Sequence, residues 1–217
     1  RRDFTINAMA MDIEGNIVDE FGGLLDLQNK VIKAVGDPLE RFEEDKLRML
    51  RAVRFATTLE FEIEENTLNA IKNTAEKLHE VSIERIQMEI NKILLSDTPK
   101  RGLELLLESG LLKEIFPEIM RTVDYDQMSP YHHKSLFKHI ICVVDRVPKK
   151  LHLRLAALFH DISKVDTLSI DEDGVGHFYG HQGKSADLAE QILKRLHYSN
   201  DFSQLVVTLI RWHSAEF

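Results

Sequence analysis

From Pro38 onward, apolar residues recur three and four positions apart with few interruptions, the period of helices that each bury one face. Leu68, Ile71, Ala75 and Leu78 mark one such face, and Ile83, Ile86, Ile90, Ile93 and Leu94 another. A chain patterned this way buries its stripes by packing helix on helix. The first thirty-six residues follow another period. Phe4 to Asp12 alternate, Glu14-Gly15-Asn16 is a turn signal, and Ile17-Val18-Asp19 can return as a partner strand. Val31 to Val35 reads as a further strand. Asp37 can cap, and Pro38 can open, the helix that follows. The expected fold is mainly α with a small N-terminal β remnant.

The helices are expected at 45–59, 65–78, 83–94 (capped by Ser82), 99–109 with Gly110 beyond the end, and 111–116, stopped by Pro117. Residues 117–131 are looser. Beyond them come 135–147, 151–163, a polar loop at 166–180, and helices at 181–197 and 201–217. Three segments follow: 1–36, 37–125 and 126–217.

Of 217 residues, 43% are hydrophobic and 29% charged, an ordinary globular balance. No apolar run reaches the roughly 18 residues of a membrane helix. The net charge of −8 argues against a broad nucleic-acid surface. A local basic stripe remains in Arg41, Lys46, Arg48, Arg51 and Arg54. The single cysteine, Cys142, excludes a disulfide within the chain; a buried thiol and a reducing, cytoplasmic setting fit. The chain opens on Arg1 and stops within a helical pattern, so it reads as an excerpt of a longer protein.

Glu43 to Ala56 carries the most specific chemistry. On a helix, Asp45 and Arg48 share a face, with Leu47, Leu50 and Val53 buried behind them. A carboxylate accepts and a guanidinium donates, so the pair can imitate the pairing edge of a complementary base. Cytosine and adenine offer the matching amino group. Uracil and guanine set acceptor against acceptor, a mismatch of roughly 1–3 kcal/mol. By spacing alone, a solvated face with an ion pair of about 0.3–0.5 kcal/mol explains the same residues.

Two longer strings shift that balance. Arg1-Arg2-Asp3-Phe4-Thr5-Ile6-Asn7-Ala8 precedes Glu44-Asp45-Lys46-Leu47-Arg48-Met49-Leu50-Arg51-Ala52-Val53-Arg54-Phe55. With them the chain resembles the class II tRNA nucleotidyltransferase / poly(A) polymerase family, which includes the CCA-adding enzymes. The first string is similar to the family's ribose-associated motif and the second to its amino-acid template for ATP and CTP. Asp19 to Gly23 resembles the flexible-loop region, and Ser82 to Ile86 the helix-positioning segment. The resemblance covers about residues 1–120. It implies that Arg2, Asp45, Arg48, Arg51 and Arg54 contact the nucleotide, Arg2 at the sugar or its phosphates. It also implies a tRNA 3′ end as partner and Mg2+-assisted attack of a 3′-hydroxyl on an α-phosphate. In the family, a Gly-Gly-x-Val-Arg-Asp turn and the metal-binding Asp-x-Asp pair stand before the first motif. Nothing precedes that motif here, so the chain is expected to read the base without the catalytic carboxylates. A poly(A) polymerase shares the same motifs and is the alternative within the family.

Nine of the ten histidines lie after residue 130. His139, His160-Asp161, His181 and His213 stand in an order that resembles the HD domain of metal-dependent phosphohydrolases. The resemblance implies these five as ligands of a divalent transition metal, which imidazoles suit better than they suit magnesium. Ser214 departs from those members that carry Asp there. An HD phosphohydrolase is the alternative of a different class, and a purely structural HD domain a third. His132, His133 and His177 match no ligand position. His79, His152 and His197 are expected on helix surfaces, the methionines as core or boundary fillers, and Trp212 in the core.

Overall fold

The computed structural model describes residues 2–128 and 135–213. Arg1, His132, His133 and Ser214 lie outside the described residues. Among the described residues the chain is mainly helical with three two-stranded sheets, and its N-terminal part is the small β remnant expected.

β1 (Ala10–Met11) pairs antiparallel with β2 (Ile17–Val18), Ala10 opposite Val18. The strand is shorter than the alternation from Phe4 suggested. Thr5–Asn7 wind into a 3-10 turn, in which Asn7 Oδ1 accepts from the Phe4 N–H at 3.1 Å. A polar side chain that bonds its own backbone competes with strand pairing. Against this turn packs α1 (Gly23–Gln28); a Cβ on Gly23 would lie 2.2 Å from the Thr5 carbonyl oxygen. β3 (Val31–Ile32) follows, and Asp37 caps α2 (Pro38–Glu44) by accepting from the Leu39 N–H.

The helix expected from Asp45 to Leu59 is present but starts at Leu47, with a separate short helix ahead of it. α2 ends at Glu44, Asp45 is extended (φ −153°, ψ 106°), and α3 (Leu47–Leu59) begins beyond it. β4 (Glu62–Ile63) then pairs parallel with β3, a pairing that local periodicity does not announce. α4 (Glu65–Thr74) tightens into a 3-10 turn at Ala75–Glu80, before α5 (Ile83–Leu94), α6 (Pro99–Glu108), α7 (Leu112–Ile115) and α8 (Pro117–Met120). Met49, Leu50, Ala52, Val53 and Ala56 of α3 are fully buried, with Ile71, Leu78, Ile90, Ile93 and Leu94 among the core residues beside them. Gly102 brings α6 close: a Cβ there would lie 2.5 Å from Ile93 Cγ2 and 3.0 Å from Thr57 Cγ2.

In the second half, Ser135 caps α9 (Leu136–Arg146) by accepting from the Lys138 N–H. α10 (Leu151–Phe159) runs into a 3-10 turn at Ile162–Asp166. The expected polar loop is partly a hairpin of β5 (Leu168–Ile170) and β6 (Gly176–Phe178). α11 (His181–Arg195) and α12 (Asn200–Arg211) complete the bundle, α12 packing on both α10 and α11.

Several side-chain expectations change. Trp212 stands one residue past the end of α12 and is 79% exposed rather than core. Cys142 is only half-buried, and Met11, Met88 and Met128 are exposed, whereas Met49 is in the core. His197 lies in the turn after α11 with φ +61°, not on a helix. Among the described residues no helix is long and apolar enough to cross a membrane.

Candidate functional sites

The break at Asp45 decides what surrounds it. An extended residue ahead of a helix can turn its side chain onto the helix N-terminus. Asp45 Oδ1 accepts from the Leu47 N–H at 3.1 Å. Arg85, forty residues later on α5, grips both oxygens of the same carboxylate, at 2.8 and 3.3 Å. Burial pushes the Asp45 carboxyl up, but the bonds from Arg85 and Leu47 and the nearby Arg48 charge pull it further down, so it stays ionised. The expected one-helix Asp45–Arg48 pair is thus corrected. Arg48 lies on α3, where its Nη1 donates to Glu44 Oε2 at 2.8 Å and to the Arg41 carbonyl at 3.1 Å. The two residues stay close through the turn between α2 and α3, not through helical spacing.

Arg51 and Arg54 continue the row and meet carboxylates. Arg51 Nε donates to Asp3 Oδ2 at 2.5 Å, and Arg54 Nε to Glu89 Oε2 at 2.6 Å. Asp3 and Glu89 side chains are 7% and 5% exposed. Both guanidiniums also stand over the Phe55 ring, at 5.3 and 4.1 Å from its centre. The arginine stripe therefore stitches three parts of the fold together. Arg2 is exposed and lines, with Phe21, Val35, Asp37, Glu40 and Arg41, an open cavity of about 480 Å³.

The histidines named from sequence converge on one carboxylate. His139 comes from α9, His160 follows α10, His181 opens α11 and His213 follows α12. Asp161 Oδ2 lies 3.2 Å from both His139 Nε2 and His160 Nε2, and Oδ1 lies 3.2 Å from His181 Nε2 and 3.7 Å from His213 Nε2. Their ligand atoms form two triads sharing Asp161, His139–His160–Asp161 and Asp161–His181–His213, each within 4.8 Å. Nδ1 of His160, His181 and His213 lies 2.5, 2.7 and 2.5 Å from the carbonyls of Ala157, Phe178 and Ile210. A carbonyl only accepts, so each Nδ1 carries a hydrogen and Nε2 is the nitrogen presented to Asp161, as a donor when the ring is protonated and as a lone pair when it is neutral. Lone pairs facing a buried carboxylate repel unless a proton or a cation lies among them. The donor set therefore fits a divalent metal, with backbone carbonyls fixing the rings from behind. Burial pushes the Asp161 carboxyl up, yet attraction to His160 and hydrogen bonds with His139, His160 and His181 hold it well below the usual range.

Sequence reading missed the partners of these residues. Lys164 Nζ lies 2.9 Å from Asp161 Oδ2, one 3-10 turn on, a spacing legible once Asp161 is singled out. Asp3, Arg85 and Glu89 are 48, 40 and 35 residues from the side chains they hold, and no local pattern signals that.

The two clusters lie in successive helical parts of the chain, and family models match it segment by segment. Residues 1–33 match the poly A polymerase head domain, 60–122 the probable RNA and SrmB-binding site of polymerase A, and 139–217 the HD domain. Together these matches cover most of the chain with segments of poly A polymerases and an HD domain. Among curated proteins it is similar to CCA-adding enzymes. It is 54% identical over 113 residues to that of Ligilactobacillus salivarius, covering 52% of this chain and 28% of the relative. It is 49% identical over 137 residues to that of Pediococcus pentosaceus, covering 63% and 34%. The chain thus spans about a third of the curated relatives it matches. Among solved structures, the Bacillus stearothermophilus CCA-adding enzyme in complex with CTP aligns with a TM-score of 0.56 and 27% identity, over 97% of this chain and 52% of that one. A tRNA-processing enzyme in an apo form aligns at 0.65 and 24%, which speaks for the fold.

Proposed function

We propose that the chain is the base-reading and RNA-contacting part of a tRNA nucleotidyltransferase that adds nucleotides from CTP and ATP to the tRNA 3′ end. The observation that carries this reading is the Asp45 carboxylate, held ionised by Arg85 at the entrance to α3 with Arg48 beside it. Asp45 accepts the amino group of cytosine or adenine, and Arg48 donates to the neighbouring ring nitrogen. Arg2, exposed on the wall of the open cavity, contacts the sugar or its phosphates. Arg51, 30% exposed, reaches a phosphate while keeping Asp3, whereas Arg54, 14% exposed, serves the nucleotide by fixing the frame through Glu89. Residues 1–36 form the end of the catalytic head, 37–125 the neck, and 126–217 the HD domain. The joining step would need Mg2+ on the carboxylates that stand before the first motif in the family. A cytoplasmic setting goes with a tRNA substrate.

Asp45→Ala in an enzyme bearing the head tests this. ATP and CTP should lose their advantage over GTP and UTP by roughly 10-fold or more, as for a lost charge-assisted hydrogen bond. Unchanged base selection sinks the assignment.

The Asp161 cluster supports a second activity, hydrolysis of a phosphoester. His139, His160, Asp161, His181 and His213 would hold one or two divalent transition metal ions, which when bound supply a polarised phosphate and an activated water. Turnover of a cyclic phosphodiester by this chain with added Mn2+ or Ni2+, lost in His160→Ala, tests it; a metal-loaded chain with no turnover leaves the domain a structural one.

A further inference from the structure

α5 carries two rows of polar side chains that meet different parts of the fold. Glu84, Gln87 and Asn91 stand three and four positions apart, so they share a face. Glu84 Oε1 lies 2.7 Å from His197 Nδ1, Gln87 Nε2 donates to the Leu196 carbonyl at 2.7 Å, and Asn91 Oδ1 accepts from the Tyr198 hydroxyl at 2.5 Å. All three contacts end in one turn, Leu196–Tyr198, between α11 and α12. Arg85 and Glu89 form the neighbouring row, and they grip Asp45 and Arg54.

The turn is well fixed. Leu196 is 3% exposed, His197 takes the left-handed conformation, and the Tyr198 ring stacks on Phe202 with centroids 5.4 Å apart. It hangs from the end of α11, whose first residue, His181, faces Asp161. Apolar Ile86, Ile90 and Ile93 bury α5 against the core, and such apolar burial is by itself non-directional. Hydrogen bonds are directional.

We propose that the Leu196–Tyr198 turn is a positioning element for Asp45: it fixes the roll of α5 and so places the Arg85 guanidinium that holds the carboxylate. The functional meaning rests on the reading of Asp45 as the base reader. The second half of the chain then contributes to nucleotide choice without touching the nucleotide. Hydrogen-bonding groups must be held to about 0.5 Å to discriminate partners, and a helix passes a roll from one row to the next as a rigid body.

The test follows the Asp45 side-chain carboxyl by NMR through a pH titration of this chain. Arg85, the Leu47 N–H and Arg48 keep that carboxyl below its ordinary value. Arg85→Ala is the reference and should raise its midpoint. Gln87→Ala combined with Tyr198→Phe should raise it in the same direction, although neither residue touches Asp45. Should that double variant fail to fold, Glu84→Gln, which alters only an exposed contact, is read the same way. A midpoint unmoved in the folded variant overturns the proposal. In the head-bearing enzyme, the double variant should lose about 3- to 10-fold of its ATP-over-GTP preference, the factor of one displaced hydrogen bond. Asp45→Ala with unchanged base choice would instead remove the base-reading role, while a shifted midpoint would leave the mechanical link standing.

Discussion

Asp3 and Arg51 stand 48 residues apart and form an ion pair of 2.5 Å in which the carboxylate is 7% exposed. Asn7 Nδ2 donates to the other oxygen at 2.6 Å. Burial pushes the Asp3 carboxyl up, but the bonds from Arg51 and Asn7 outweigh it and leave it lowered. Arg51→Met should therefore cost about 2–4 kcal/mol, since it leaves a buried carboxylate without its charge partner. Urea unfolding checks this.

The same pair gives a pH dependence. A carboxyl whose folded value is depressed stabilises the fold above its unfolded value, about 3.9 for Asp, and that stability is lost as pH falls through the folded value. The urea midpoint should therefore drop as pH falls below about 4. Asp3→Asn should flatten that drop, and an equally steep one in the variant would assign it to other groups.

Gly102→Ala sets two effects against each other. Alanine raises helix propensity by about 1 kcal/mol. Its methyl would meet Ile93 Cγ2 at 2.5 Å and Thr57 Cγ2 at 3.0 Å, and overpacking of this kind costs about 1–3 kcal/mol. The clash should win, giving a net loss of up to about 2 kcal/mol and a lower melting temperature.

A metal ion that binds the folded Asp161 cluster stabilises it by mass action, about 2.7 kcal/mol at a hundredfold excess over Kd. Mn2+ or Ni2+ should raise the melting temperature of the chain, and His160→Ala should abolish the rise. An identical rise in the variant would place the metal elsewhere.

Most of the helical layer was legible because each helix carries its own stripe and punctuation. Asp37-Pro38, Ser135 and Gly110 (φ +82°) begin or end helices where their chemistry demands. The break at Asp45 was not legible, since apolar spacing runs through it and only its bonds to Leu47 and Arg85 mark the boundary. The β3–β4 pair was hidden because two-residue strands show no alternation. The arginine stripe was legible as charge but not as contact: Asp3 and Glu89 lie too far along the chain. The histidine order was visible, and its convergence on one carboxylate came from packing four helices.

Phe4, fully buried, meets the Phe55 ring edge-on at 5.6 Å, while Thr5 N–H bonds to the Lys33 carbonyl and Val35 N–H to that of Asp3. The opening residues are thus the last stones of a vault that the helices only begin. A protease cutting within residues 5–9 would leave α1 to α12 uncut. It would nonetheless uncover α3 along the side that carries Arg51 and Phe55, so the resistance of that short stretch to cleavage reports on the integrity of the helical layer around α3 as a whole.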